Sequence, residues 1–246
     1  MEELLKHERI DYIGQKDLKI IQAGDVFSFS LDSVLLAKFV YVPIQKGKLI
    51  DLCTGNGVIP LLLSRRTKGK IIALDMQEKL CDMAERSVRL NGLHDRIKIL
   101  CNDLTQLESS FLDGSYDVVT CNPPYFKRTN ERDVKKSLHT AMARHEMYCT
   151  LEDCVRTMSR LLKQGGKGAF VHRPNRLVEL LELMKKYRLE PKRLQFVHPK
   201  NGSDANIVLI EGTKDGKADL KVLPPLTVYD HNNVYTAEIK EILYGG

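Results

Sequence analysis

Four consecutive residues, Asn122-Pro123-Pro124-Tyr125, have the most specific chemistry in the chain. Two prolines fix the turn and remove two N–H donors, so the lining offers carbonyl acceptors flanked by an amide and an aromatic ring. Such a lining suits an amino group conjugated to a heterocycle or to a carbonyl. That nitrogen is a poor nucleophile, because its lone pair is delocalised and must be localised before it can attack. The Asn122 side-chain oxygen and the Pro123 carbonyl can accept its two hydrogens and favour tetrahedral nitrogen, while Tyr125 stacks on a planar substrate. The structural alternative is a rigid loop around a buried tyrosine.

A second group of residues suits a nucleoside cofactor. Thr54-Gly55-Asn56-Gly57 follows the apolar run Lys48 to Cys53, and a Gly-x-Gly after a strand lets the backbone approach a ligand at a helix N-terminus. Pro60 stands where a dinucleotide fingerprint would want a third glycine, which disfavours NAD. Asp51, Asp75 and Asp103 fall at or near the ends of three consecutive strands. Asp75 can accept hydrogen bonds from both hydroxyls of a ribose, and Asn102 with Asp103 lies where an adenine amino group needs an acceptor. For any one of these acids a turn or helix cap is the competing reading; three together favour the pocket.

These residues need a scaffold, and the hydrophobic pattern supplies one. Strands are expected at 48–53, 70–76, 96–103, 116–121 and within KGAFVHR, with helices at VIPLLLSRR, 78–90, 151–163 and after Pro174. Asn91-Gly92 stops the 78–90 helix, and Gly165-Gly166 is expected to close the 151–163 helix. QFVH (195–198) and NIVLIEG (206–212) form an antiparallel hairpin across a short loop. The alternation predicts an α/β fold, a doubly wound, seven-stranded, mostly parallel sheet with an antiparallel last hairpin, its ligand crevice at the carboxyl ends of the first strands. FSFSLDSVLLAKFV reads as an extended piece entering an amphipathic helix near Ser30 or Asp32.

Composition sets the outer bounds. With 246 residues and 43% hydrophobic side chains the chain suits one large domain. No run of about 18 uncharged apolar residues occurs, and Glu2, Glu3, Lys6, Glu8 and Arg9 are unlike a signal sequence, so a cytoplasmic protein without a membrane segment is expected. The six cysteines are scattered singly, so no zinc knuckle or redox pair can be read and no metal is expected. The net charge of +6 permits a nucleic-acid partner without requiring one.

The tetrapeptide with its neighbouring loop resembles class I S-adenosylmethionine-dependent methyltransferases acting on exocyclic or amide nitrogens, a Rossmann-like fold. FSFSLDSVLLAKFV, DLCTGNGVIPLLL, NPPYF, ARHE, LLKQGGKGAFVHRPNRL and PPLTVYD together are similar to successive landmarks of the bacterial tRNA1(Val) adenine-37 N6-methyltransferase family, over nearly the whole chain. The resemblance implies S-adenosylmethionine as cofactor and S-adenosylhomocysteine as product, with Cys53, Thr54, Gly55, Asn56 and Gly57 around the methionine part. Asp75 would hold the ribose, Asn102 and Asp103 the adenine, and Asn122, Pro123, Pro124 and Tyr125 the target base; Asp51 joins the cofactor set. Cys53 stands where the first loop glycine is usual, and it reads as a small lining residue. The implied divisions are an N-terminal extension packing on the domain (1–47), the methyltransferase domain (48–212) and a cover segment with a short terminal helix (213–246).

The substrate that the resemblance implies is an adenine in RNA, adenine 37 beside the anticodon of tRNA1(Val). Anticodon-loop bases are unpaired and can be splayed into a pocket. The rivals are an rRNA guanine amino-methyltransferase, a protein-glutamine methyltransferase acting on release factors, and a non-enzymatic RNA-binding module. Lys127, Arg128, Lys135 and Lys136, beside the tetrapeptide, are RNA-binding candidates, and a solvated lid is the equal alternative. Lys185, Lys186, Arg188, Lys192 and Arg193 read as a solvated face. No general base is needed, and neither His145 nor His172 is assigned a catalytic role.

Overall fold

The computed structural model describes residues 4–14, 17–24, 26, 30–107, 113–125 and 149–245. Its centre is a sheet of parallel strands: β3 (Lys48–Leu52), β4 (Lys70–Asp75), β5 (Ile97–Cys101), β6 (Tyr116–Cys121) and β7 (Leu162–His172). A hairpin of β8 (Leu189–Lys200) and β9 (Ile207–Lys214) completes it, with β9 antiparallel to both β7 and β8. The order is β8-β9-β7-β6-β3-β4-β5, the expected doubly wound arrangement with its antiparallel end. Two short strands that the sequence did not suggest, β10 (Lys221–Val222) and β11 (Leu226–Tyr229), widen it along the β8 edge.

Helices α2 (Val58–Arg66), α3 (Glu78–Leu90), α4 (Leu151–Leu161) and α5 (Leu177–Lys186) cover the faces. The 13-residue α3 puts Leu80, Met83, Ala84 and Val88 inward, the 3.6-residue repeat of an amphipathic helix. A capping box starts α4: Asp153 N donates to Thr150 Oγ1 and Thr150 N to the Asp153 carboxylate. This helix ends two residues earlier than expected. Leu162 is already extended and pairs with Tyr116, and Gly165-Gly166 lie inside β7 at a register shift with β6, so they do not close the helix. The last hairpin is longer than its apolar runs, because Pro191 sits at a register shift within β8 and does not end the strand.

The N-terminal region departs furthest from expectation. Strands β1 (Glu8–Ile13) and β2 (Leu18–Ala23) pair antiparallel, apart from the strands of the main sheet, and β2 packs on α3. Ile21 N donates to Ser87 Oγ at 2.9 Å, and the Asn91 side chain bonds both polar groups of the Lys19 backbone. The Glu8 carboxylate, its side chain 1% exposed, takes two 2.7 Å bonds from Arg86, which also holds Asp82. Helix α1 (Leu31–Phe39) starts after Ser30 as expected, but it is not amphipathic. Seven of its nine residues are buried, because it is enclosed by α2, β7, β9 and the terminal helix α6 (Ala237–Tyr244). The extended piece expected at 27–29 lies outside the described residues.

Removing one partner of a buried ion pair leaves the other charge stranded. Arg86→Ala should therefore lower the unfolding free energy by about 3 kcal/mol and increase amide exchange in β1 and β2. Urea denaturation and hydrogen exchange check this; a variant as stable as the parent would show that the hairpin is held by its apolar contacts alone.

Candidate active site

The chain runs from β3 outward to β4 and β5, then returns to β6 on the other side of β3, so β3 and β6 border the point where the strand order reverses. In register, Leu52 pairs with Cys121. The loop Cys53 to Gly57 and the tetrapeptide Asn122 to Tyr125 therefore leave the sheet side by side, at the carboxyl ends where α/β sheets take ligands.

The first loop is tightly wound. Cys53, Gly55 and Gly57 all have left-handed backbones, with φ of 57°, 57° and 91°. A Cβ on Gly57 would meet the Ala84 Cβ at 3.2 Å, so this glycine permits close packing of the loop on α3. Among the described residues Gly55 has nothing within 4 Å of where its Cβ would lie. Non-glycine residues reach the left-handed region at a cost, and Cys53 does so at the start of this loop.

Three of the acids around this loop have clear local partners. Asp75, at the end of β4 and expected to hold a ribose, accepts from Gly55 N at 2.8 Å and Gln77 N at 3.0 Å, so it also braces the loop. Burial raises its pKa against those bonds. Asp103 accepts from the Thr105 backbone and hydroxyl at 2.8 Å, capping a turn of 3-10 helix at Leu104–Gln106, while Asn102 accepts from Asp103 N. Asp51 is fully buried and takes the Thr120 hydroxyl on one oxygen at 2.5 Å. Burial pushes its pKa up to about 7. Its other oxygen, the Thr54 hydroxyl and the Gln77 side-chain oxygen are buried without a hydrogen-bond partner among the described residues. Asn56 turns the other way and donates to the Ile21 carbonyl of β2.

The tetrapeptide is held by residues the sequence did not single out for chemistry. Asn122 Nδ2 donates to Ser33 Oγ at 3.0 Å, and the Tyr125 hydroxyl lies 2.7 Å from Asp32 Oδ2 and 2.6 Å from Asn122 Oδ1. Both holders stand in the first turn of α1. The Arg173 guanidinium lies 4.8 Å over the Tyr125 ring, and the His172 ring meets it at 5.3 Å and 64°. Burial, with the charge on Asp32 next, raises the Tyr125 pKa well above its usual value. His172 is 1% exposed; its Nδ1 accepts from Arg173 N at 2.8 Å and its Nε2 has no partner among the described residues. Burial, then the charge on Arg176, pushes it down to about 4, so the ring stays neutral. Asp32 and Ser33 lay within the FSFSLDS landmark, yet their sequence signal was that of a helix start.

The basic candidates beside the tetrapeptide, Lys127, Arg128, Lys135 and Lys136, and also His145, lie outside the described residues. Four of the five residues of the second basic group pair with acids, Lys185 with Glu190, Lys186 with Glu152, Arg188 with Asp215 and Arg193 with Glu211, while Lys192 donates to the Lys217 carbonyl. No helix among the described residues is long and apolar enough to cross a membrane.

Comparison with known proteins places the chain in context. Residues 49–145 match a family model described as a methyltransferase domain. A tRNA1(Val) (adenine(37)-N6)-methyltransferase of Phocaeicola vulgatus is 25% identical, covering 92% of this chain and 93% of that protein. Its counterpart in Photobacterium profundum is 26% identical over 91% and 92% of the two chains. Among solved structures, a "predicted O-methyltransferase" from Agrobacterium tumefaciens superposes with a TM-score of 0.69 at 23% identity, over 86% of this chain and 94% of that one. A geranyl diphosphate methyltransferase in complex with SAM superposes with a TM-score of 0.57 at 15% identity, over 74% and 84%. The fold is that of the class I methyltransferases.

Asp51 and His172 should tilt stability in opposite directions. Below pH 6.5 the unfolded chain protonates His172 while the folded chain does not until about 4, so this group makes stability fall as pH falls. Folded Asp51 keeps a proton up to about pH 7 that the unfolded carboxylate loses near 3.8, so this group makes stability fall as pH rises. Between about pH 4.5 and 6.5, Asp51→Asn should steepen the rise of unfolding free energy with pH, and His172→Asn should flatten or reverse it, each by up to about 3 kcal/mol. Urea titrations at the two pH values decide it, and slopes shifted the same way in both variants would refute the assignment.

Proposed function

We propose that this chain, which is similar over most of its length to tRNA1(Val) (adenine(37)-N6)-methyltransferases, methylates the exocyclic nitrogen of an unpaired adenine in RNA, adenine 37 of tRNA1(Val), using S-adenosylmethionine. The observation that carries this reading is the juxtaposition of the Cys53–Gly57 loop and the Asn122–Tyr125 tetrapeptide on the paired ends of β3 and β6. An acceptor-lined turn beside a nucleoside loop suits nitrogen methylation better than it suits either part alone.

The residues fit the cofactor. Space over Gly55 that no described residue fills leaves room for a ligand against the loop backbone, and the buried oxygens of Asp51, Thr54 and Gln77, unpartnered among the described residues, are polar groups that a bound ligand or its waters would satisfy. In this reading the loop wraps the methionine part, Asp75 faces the ribose with its remaining lone pairs, and Asn102 with Asp103 borders the adenine. Bound there, the sulfonium supplies an electrophilic methyl group. On the other side, Asn122 Oδ1 and the Pro123 carbonyl accept the two hydrogens of the target amine, concentrating its lone pair on nitrogen. Tyr125 offers its ring to the base once Arg173 swings aside. His172, neutral, is not the proton acceptor; the methylated nitrogen is acidic enough to lose its proton to water.

Methyl-labelled cofactor offered separately with unmodified tRNA, rRNA, DNA and release factor should label tRNA, at adenine by mass spectrometry. Label confined to protein or to rRNA guanine would refute the proposal. Asn122→Ala should keep cofactor affinity yet lose single-turnover methyl transfer about a hundredfold or more, as when a preorganised partner of the transition state is deleted. Asp75→Ala should weaken cofactor binding by roughly 1.5 to 3 kcal/mol in calorimetry.

The residues Lys127, Arg128, Lys135 and Lys136 are proposed as a phosphate clamp. Replacing all four by Ala should weaken RNA binding and flatten its dependence on salt, because fewer counterions are released, with cofactor affinity unchanged. Lost turnover with an unaltered salt slope would instead identify a lid.

A further inference from the structure

Four of the six cysteines converge, although no two are neighbours in sequence. Cys53 opens the loop after β3, Cys121 ends β6 immediately before Asn122, and Cys149 and Cys154 flank the start of α4. The sulfurs of Cys53, Cys149 and Cys154 all lie within 4.8 Å of one another, with 4.0 Å between those of Cys149 and Cys154. Cys121 is fully buried and pairs in register with Leu52, the residue before Cys53. Cys121 and Cys154 form the floor, while Cys53 and Cys149 are only partly buried and give a path of entry.

We propose that Cys53, Cys149 and Cys154, with Cys121 as fourth ligand, bind a single zinc ion that clips the cofactor loop to the tetrapeptide strand and to the start of α4. Tetrahedral zinc holds thiolates at about 2.3 Å, which sets sulfurs about 3.8 Å apart. Among Cys53, Cys149 and Cys154 the observed spacing needs to close by about 1 Å or less. An iron–sulfur cluster would need room for its own sulfides between the thiols, which sulfurs this close do not leave. A Cys149–Cys154 disulfide would require the two sulfurs to approach to about 2.05 Å and would leave Cys53 and Cys121 unpaired. Zinc needs no oxidant: each thiol that binds releases one proton to the buffer, and the metal keeps its charge and oxidation state. The N-terminus of α4 favours anionic sulfur at Cys149 and Cys154, with Glu152 and Asp153 acting against it.

The ion would tie together the two loops that the proposed reaction needs, but its binding does not depend on that reaction. The test uses the full chain, reduced, freed of metal with a chelator and kept free of oxygen, titrated with Co²⁺ as an optical probe. The expected result is one equivalent bound, with a thiolate-to-cobalt charge-transfer band and the strong visible absorption of a tetrahedral site, both erased by one equivalent of Zn²⁺. Cys149→Ser and Cys154→Ser should each lose the one-equivalent endpoint, while Cys81→Ser and Cys101→Ser keep it. If Cys154→Ser does not fold, the partly buried Cys53→Ser joins Cys149→Ser. Zinc should also raise the thermal midpoint of the parent and not of Cys149→Ser. The proposal is overturned by weak octahedral absorption, by no stoichiometric uptake, by spectra unchanged in Cys149→Ser, or by a Cys149–Cys154 disulfide that forms under saturating zinc.

Discussion

The pairing of β3 with β6 is the constraint on which the site depends. Neither loop is a site by itself: a glycine loop cradles many ligands, and an acceptor-lined turn binds many amines. Parallel pairing of Leu52 with Cys121 fixes their separation to that of neighbouring strands, and the crossover from β5 back to β6 leaves the space between them open. The apolar residues of β3 and β6 are buried almost completely, so the register is enforced by the core. A slip of one residue would turn each side chain to the opposite face.

The second layer of positioning comes from the N-terminal segment. The β1–β2 hairpin is clamped on α3 by Arg86 and Glu8. Asn56 ties the first loop to β2, and α1 then presents Asp32 and Ser33 to the tetrapeptide. The far end of α1 is pinned by Arg193, which donates to the Phe39 carbonyl and lies over its ring, and by Glu211, which accepts from Tyr41 N. The stretch before the first central strand thus braces both loops.

Much of this was legible in the sequence, for physical reasons that also mark the boundary of legibility. Central parallel strands are buried on both faces and read as short apolar runs, so 48–53, 70–76 and 116–121 stood out. The tetrapeptide was legible because proline and glycine act through local backbone geometry. The N-terminal hairpin was not, since ERIDYI mixes charged and apolar residues and the hairpin's partner is a helix 66 to 78 residues away in sequence. Helix α1 was misread as amphipathic because Asp32 and Ser33 look like a solvent face, yet both are buried in hydrogen bonds to the tetrapeptide. The convergence of Cys53, Cys121, Cys149 and Cys154 had no local spacing to announce it, because their separate elements meet only through the sheet's topology.

Tyr125 shows how the same contacts serve both the resting site and the reaction proposed for it. Its hydroxyl has one proton and two acceptors within reach, Asn122 Oδ1 and Asp32 Oδ2, so it can satisfy only one at a time. An incoming amine needs the Asn122 oxygen. Were Asp32 apolar, binding would strip the tyrosine of its only buried acceptor at about 1 to 3 kcal/mol. With Asp32 present, the hydroxyl turns to the carboxylate, the amine takes its place on Asn122, and one hydrogen bond replaces another. The second anchor of Asn122, its donation to Ser33, is untouched by the exchange, so the amide keeps its orientation throughout. The helix that braces the tetrapeptide in this way lets it trade partners without losing its geometry, which is what a preorganised acceptor requires.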